Sequence, residues 1–311
     1  MQQLQQAGHR ITYACPGDLD NAMASRLSEL QVPFVALPPW ERPIEKKGLS
    51  RWEKVRSISS RQRQAVADLQ MDRVAQTLRQ LAPDLVLIDI EMHSHIVTAV
   101  SGRYAVALLC PFISIFNRRH LPPIHTSIVP GIGWRGQWWG IQWSWLRYGW
   151  QKWTAYGRDR LQKVGCDYIS ILRCYSREIG YPFFNSFGFH QWLVPYPHKD
   201  LPILCLHPQA LDFPHQPPAD MKYLGPMVFD ERVDITGIPK TTKRPLIYCG
   251  LSSFMPARKS FLQQLVEVAT LCPHWQFVVG LGGTTYPDLL DSLPSNMQVL
   301  TWAPQIKTLQ Q

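Results

Sequence analysis

Short runs of β-branched and apolar residues alternate with longer helical patterns along most of this chain, and that alternation decides the fold class. Residues 11–15 form the first run. A helix opened by Asp18 follows and carries Met23, Leu27 and Leu30 on one face, and residues 32–37 read as a second strand. After a polar stretch over 40–49 come a helix over about 55–81 and the run Leu85-Val86-Leu87-Ile88, which ends on Asp89. A short helix then leads to a strand at 105–109. Continuous apolar strands separated by helices predict parallel βαβ units with both faces of the sheet covered, an α/β protein.

The pattern resumes after a Pro-, Lys- and Asp-containing stretch at 227–244, which reads as a linker. Strands are expected at 245–249, 275–280 and 297–301, and helices at 256–271 and 286–293. With about 150 residues per domain as a guide, the 311 residues divide into a first domain over 1–226 and a second over 245–311. Residues 1–7 read as the last turns of a helix, with Gly8 in the position that tolerates a left-handed backbone. A doubly wound domain ordinarily opens on a strand, and three strands make a thin second domain, so the sequence reads as a fragment cut at both ends.

Composition narrows the class of partner. Hydrophobic residues make up 45% and charged residues 18%, a balance that excludes a disordered chain. The net charge of +9 favours anionic partners. Seven dispersed cysteines without a CxxC pair suggest neither a disulfide framework nor a zinc site, and a reducing cytoplasm fits them. The first ten residues carry no apolar signal segment, and the longest apolar run, 104–116, is too short to span a bilayer and is broken by Pro111.

Ligands of open α/β sheets bind beyond the carboxyl ends of the strands. The residues there are Asp89, Ser252 with Ser253, Gly282 with Gly283, and Trp302 to Gln305. Ser252 and Ser253, in LIYCGLSSF, sit in a strand-to-helix turn and suit either a phosphate cradle or a simple helix N-cap. Phe254 departs from the small-residue surroundings of a hydrolase nucleophile. The GLGG run at 280–283 lacks dinucleotide spacing. In NMQVLTWAPQ a strand delivers Trp302 to the ligand edge, where it suits either stacking on a base or packing at the rim.

The segments QQAGHRITYACP, PLIYCGLSSF and NMQVLTWAPQ together resemble the nucleotide-sugar-dependent glycosyltransferases that include the plant secondary-metabolite, macrolide and zeaxanthin glucosyltransferases. ALDFPHQPPADMKYLGPMV is similar to the stretch before the linker in the zeaxanthin-type bacterial members. The resemblance implies two facing Rossmann-like, doubly wound domains (GT-B type), the second incomplete here, with acceptor bound by the first and a UDP-sugar co-substrate by the second. No other cofactor and no metal is implied. Carried onto this chain, Trp302 would stack on uracil, Ala303 would bond the base through its backbone, Gln305 would lie on the ribose side, and Ser253 would meet a phosphate. Ser252 stands where the family usually has glycine, and its Cβ restricts approach to that phosphate. The implied mechanism is an inverting displacement in which a His deprotonates the acceptor and an Asp orients it. Asp89 matches the Asp, with a helix N-cap as its other reading. The family's His belongs to a GHxxP-like turn ahead of the first helix, a position that His9 does not match, and the later donor turns would follow WAPQ, so the resemblance implies a fragment without the catalytic His and much of the donor site, inactive by itself.

Seven of the twelve tryptophans fall within residues 134–153, which makes this segment a second candidate region. On a helical wheel Trp134, Trp138, Ile141 and Trp145 share one face, and Trp139, Trp143, Leu146 and Trp150 another. With basic residues interspersed, Trp134, Trp138, Trp139 and Trp143 suit a lipophilic acceptor or peripheral contact with a membrane, while a wide apolar arc also suits a buried helix. His93 and His95 lack a third ligand at metal spacing, and no nucleic-acid motif accompanies the basic segment. The expected function is hexosyl transfer from a UDP-sugar to a hydroxyl of a small lipophilic acceptor, carotenoid-like or another isoprenoid. The alternative is a non-catalytic binding or membrane-associating remnant of such an enzyme.

Overall fold

The computed structural model describes residues 2–17, 27–28, 31–38, 50–113, 120–188, 198–227, 244–251, 259–283 and 293–310. The chain divides into two compact units, 1–227 and 228–311. Most of the expected linker (228–243) and the expected helix over 286–293 lie outside the described residues, as does most of the helix opened by Asp18.

Unit 1 begins with helix α1 (Gln2–Gln6). Gly8 (φ +87°) ends it: the Gly8 N–H donates to Gln5 O and the His9 N–H to Leu4 O, the paired bonds of a Schellman cap. Strands β1 (Tyr13–Pro16) and β2 (Phe34–Leu37) pair in parallel. The helix expected as one piece over 55–81 is three: α2 (Arg51–Arg56), α3 (Ile58–Asp68) and α4 (Met71–Leu81). Ser50 and Glu53 close a capping box on α2, and Gln70 breaks the run by taking a left-handed conformation (φ 51°, ψ 34°) between α3 and α4.

The main sheet of unit 1 runs β3 (Val86–Asp89), β4 (Val106–Cys110), β5 (Ile203–Cys205), β6 (Met221–Tyr223), all parallel. The last two strands have three residues each, too short to show a pattern in the sequence. Helix α5 (His93–Ser101) packs on this sheet and buries Ile96 and Ala99 against Ile88, Leu108 and Ile203. A second core joins α3, α4 and α7 (Tyr168–Glu178) through Val66, Val74, Ile171 and Leu172, with Phe187 after the short α8 (Phe183–Ser186). Helix α6 (Trp138–Gln162) precedes α7.

Unit 2 is a three-stranded parallel sheet, β7 (Leu246–Gly250), β8 (Gln276–Gly280) and β9 (Met297–Leu300), in that order. Helix α9 (Lys259–Leu271) buries Leu262 and Ala269 against Phe277, Val279 and Met297. The buried Asn296 amide ties the end of α9 to the turn that follows, donating to Ala269 O (2.9 Å) in the helix and to Cys272 O (3.0 Å) and Trp275 O (3.0 Å) beyond it. Helix α10 (Gln305–Leu309) follows β9.

Candidate functional site

All three strands of unit 2 point the same way, so their carboxyl ends share one edge, where ligands of parallel sheets bind. Two of them end on glycines that are register partners, Gly250 and Gly280. Beyond the strands the backbone stays laced: the Leu251 N–H donates to Gly280 O (2.8 Å), Leu281 N–H to Leu300 O (2.8 Å) and Gly283 N–H to Thr301 O (2.9 Å). The turn after β8 thereby lies against the segment leaving β9. It can do so because Gly282 (φ +63°) and Gly283 (φ +95°) both take left-handed conformations, which side chains other than glycine's resist.

On this bed sits the sequence Trp302-Ala303-Pro304-Gln305. A Cβ placed on Gly283 would come within 2.7 Å of Trp302 Cζ2, so the indole lies directly over that glycine, with 40% of the residue exposed. A Cβ on Gly280 would meet Ala303 Cβ at 3.0 Å, and Ala303 is buried. A Cβ on Gly250 would meet the Tyr248 hydroxyl at 2.8 Å and Gln305 Nε2 at 3.3 Å. Trp302, Ala303 and Gln305 thus each rest on a glycine: one exposed aromatic ring, one fixed backbone segment and one amide are brought together at the strand ends. Pro304 directs the chain into α10, whose Thr308 hydroxyl bonds back to Pro304 O (2.8 Å). The sequence places Gly282 and Gly283 at this edge, but Gly250 and Gly280 as supports for Gln305 and Ala303 emerge only from the structure. Ser252 and Ser253 lie outside the described residues.

In unit 1, Asp89 closes β3 half-buried. Its Oδ1 accepts the Glu91 N–H (2.9 Å) and its carbonyl accepts the Met92 N–H (3.0 Å), so the carboxylate is held at the strand end by the turn that follows. The helix N-cap is Met92, which corrects the N-cap reading of Asp89: the helix starts one turn later than the strand end suggests. Register partners Cys110 and Cys205 end the neighbouring strands with their thiols in contact. That contact, then burial, pushes the Cys110 thiol above its usual range, with the Asp89 charge adding to the effect. The same contact lowers the Cys205 thiol, and both residues are fully buried in the sheet.

His93 and His95 are buried in α5. The His93 ring faces Tyr168, whose hydroxyl is 3.3 Å from Nδ1, and Phe187. His95 Nδ1 lies 3.4 Å from the Ser94 hydroxyl, and burial lowers its pKa to about 4, leaving a neutral core imidazole. No group of three or more His, Cys, Asp or Glu among the described residues could hold a metal.

The tryptophan-rich segment resolves into two surfaces. Trp134 precedes α6 instead of belonging to it, and Trp138, expected on the face of Ile141 and Trp145, is exposed; as the first helical residue it lies outside the packed span. Ile141 and Trp145 are buried, and Trp145 Nε1 donates to Leu121 O (2.7 Å). Trp134, Trp138, Trp139 and Trp143 are all exposed, with Trp134 and Trp139 stacked at 6.1 Å.

No protein-family model and no curated protein sequence matches the chain. Among solved structures, the chain is similar to the glycotransferase of kitacinnamycin, at 17% identity and a TM-score of 0.57 over all of this chain and 68% of that one. It is also similar to a calicheamicin glycosyltransferase, at 14% identity and a TM-score of 0.53 over 99% of this chain and 66% of that one. The fold is of the GT-B type. The chain spans about two thirds of the length of these two structures. Within this GT-B fold the Trp302 edge belongs to unit 2, and Asp89 and the tryptophan-rich helix belong to unit 1.

Proposed function

We propose that this chain belongs to a nucleotide-sugar-dependent glycosyltransferase, with UDP bound at the carboxyl edge of unit 2 and the acceptor taken by unit 1. The observation that carries the reading is the placing of Trp302, Ala303 and Gln305 on Gly283, Gly280 and Gly250. An exposed indole of fixed orientation is a platform for a flat base, and base–aromatic stacking is worth about 1–3 kcal/mol. The backbone of Ala303 is held against Gly280 and suits reading of the base edge, and the Gln305 amide suits the ribose. Ser252 and Ser253, which follow β7 in the sequence, are assigned to the phosphates through the sequence resemblance. The GT-B fold and the resemblance in PLIYCGLSSF and NMQVLTWAPQ support this reading jointly.

The transfer is an inverting displacement. The acceptor oxygen forms a bond to the anomeric carbon as the bond to UDP breaks, and the acceptor proton passes to the His of the GHxxP-like turn that the resemblance implies and no residue of this sequence matches. In this proposal Asp89 orients that His: Oδ1 is fixed by the Glu91 N–H, which leaves Oδ2 to receive a ring N–H. A lipophilic acceptor, carotenoid-like or another isoprenoid, is supported by the resemblance and by the aromatic richness of residues 134–153. Saturation-transfer NMR tests the donor half: uracil protons of UDP should be saturated by the protein and adenine protons of ADP should not. Equal saturation of both bases, or of neither, would refute the assignment.

A further inference from the structure

Helix α6 is apolar on two opposite sides, and packing uses one of them. Ile141, Trp145 and Lys152, at i, i+4 and i+11, are buried. Trp139, Trp143, Leu146, Trp150, Trp153 and Leu161 follow the spacing i, i+4, i+7, i+11, i+14 and i+22, which sets them along the opposite face. All six are at least half exposed, Trp150 and Leu161 at 73%. At 1.5 Å per residue this stripe is about 33 Å long. Its borders are cationic: Arg147, Arg158 and Arg160 are exposed. The single acid of α6, Asp159, is neutralised by Lys163 at 2.8 Å. Positive charge continues at both ends. Arg135 lies over the Trp134 ring (5.2 Å) before the helix. At the far end the Arg61 guanidinium bonds both Lys163 O and Lys54 O (3.1 Å each), which brings in α2 with its exposed Arg51, Trp52 and Arg56.

We infer that this face lies in the headgroup layer of an anionic phospholipid bilayer, with α6 parallel to the membrane plane. Tryptophan is suited to that layer, because its ring is apolar and its N–H is satisfied by interfacial water and phosphate. Arginines beside an apolar stripe complement phosphate and acidic headgroups. Among the described residues no helix is long and apolar enough to cross a membrane, which accords with a helix lying in the plane. A second copy of the chain fits less well: stripe against stripe would place the bordering arginines of both copies together without acidic partners. The inference rests on unit 1 alone and stands apart from the donor-site reading.

The test is co-sedimentation of the full chain with phosphatidylcholine vesicles, with and without phosphatidylglycerol. The chain should partition onto the anionic vesicles, and brominated lipid should quench its tryptophan fluorescence. Trp143→Gln with Trp150→Gln should lower partitioning by at least about tenfold. Arg147→Gln with Arg158→Gln should lower it by about tenfold on anionic vesicles and little on neutral ones. Circular dichroism should show both variants folded as the parent, and the arginine pair tests the inference even if the tryptophan pair misfolds. Three results would overturn it: no partitioning by the folded chain, partitioning of both variants onto anionic vesicles as strong as the parent's, or a lipid-free dimer that the tryptophan variant dissolves.

Discussion

Gly283→Ala is the perturbation that reads the geometry of the donor edge most closely. Two costs arise together. The residue has φ +95°, where an L side chain costs about 1–2 kcal/mol. The new Cβ would also stand 2.7 Å from Trp302 Cζ2, so the indole must withdraw by about 0.7 Å to reach an ordinary 3.4 Å contact. Gly8→Ala separates the two costs, because Gly8 has nearly the same φ (+87°) and no atom within 4 Å of its Cβ position. Urea unfolding should show both variants less stable by about 1–3 kcal/mol. Titration with UDP should show only Gly283→Ala weakened, by about tenfold, a fraction of the stacking energy of about 1–3 kcal/mol per base. Unchanged UDP affinity in Gly283→Ala, or equal losses in both variants, would refute the view that this glycine seats the indole.

Three further outcomes follow from polar groups that the fold holds in place. His95 has its pKa lowered by burial from 6.5 to about 4, so the unfolded chain binds the extra proton between those values; stability should be complete above about pH 6.5 and fall by roughly 3 kcal/mol as pH drops to 4, and His95→Asn should flatten that limb in pH-dependent urea melts. An identical slope in the variant would refute it. Asn296→Ala strips the amide from three carbonyls, Ala269 in α9 and Cys272 and Trp275 in the turn to β8, and should cost about 1–3 kcal/mol by the same melts, whereas a loss below about 0.5 kcal/mol would show those carbonyls satisfied otherwise. Asp89→Asn keeps an acceptor for the Glu91 N–H and removes the charge, so it should leave UDP affinity of this chain unchanged and, in a chain that carries the GHxxP-turn His, slow glycosyl transfer by at least about 100-fold; undiminished transfer there would remove Asp89 from the chemistry.

The sheets were legible because each long strand is a compact apolar run: VLID, VALLC, LIYCG, QFVVG and MQVL all appear within a residue or two of their expected places. Strands β5 and β6 were not, since three residues leave no period to read and their pairing is set by neighbours far away in sequence. The break at Gln70 was equally silent, because glutamine is a good helix former and nothing in its own chemistry announces a left-handed backbone. At the candidate site Trp302, Ala303 and Gln305 were visible as a cluster after a strand, while the glycines beneath them become a bed only through the cross-strand register of Gly250 with Gly280. The tryptophan-rich helix showed both its apolar faces in the sequence, and burial decided which one packs.

Calorimetric titration of the 311-residue chain with UDP, with Trp302→Ala as its partner, is the direct test of a nucleotide site at the Trp302 edge. The account predicts saturable binding that the substitution weakens by about 5- to 150-fold, the equivalent of about 1–3 kcal/mol of stacking. Binding of equal strength in the variant, or no binding by a chain shown to be folded, would contradict it.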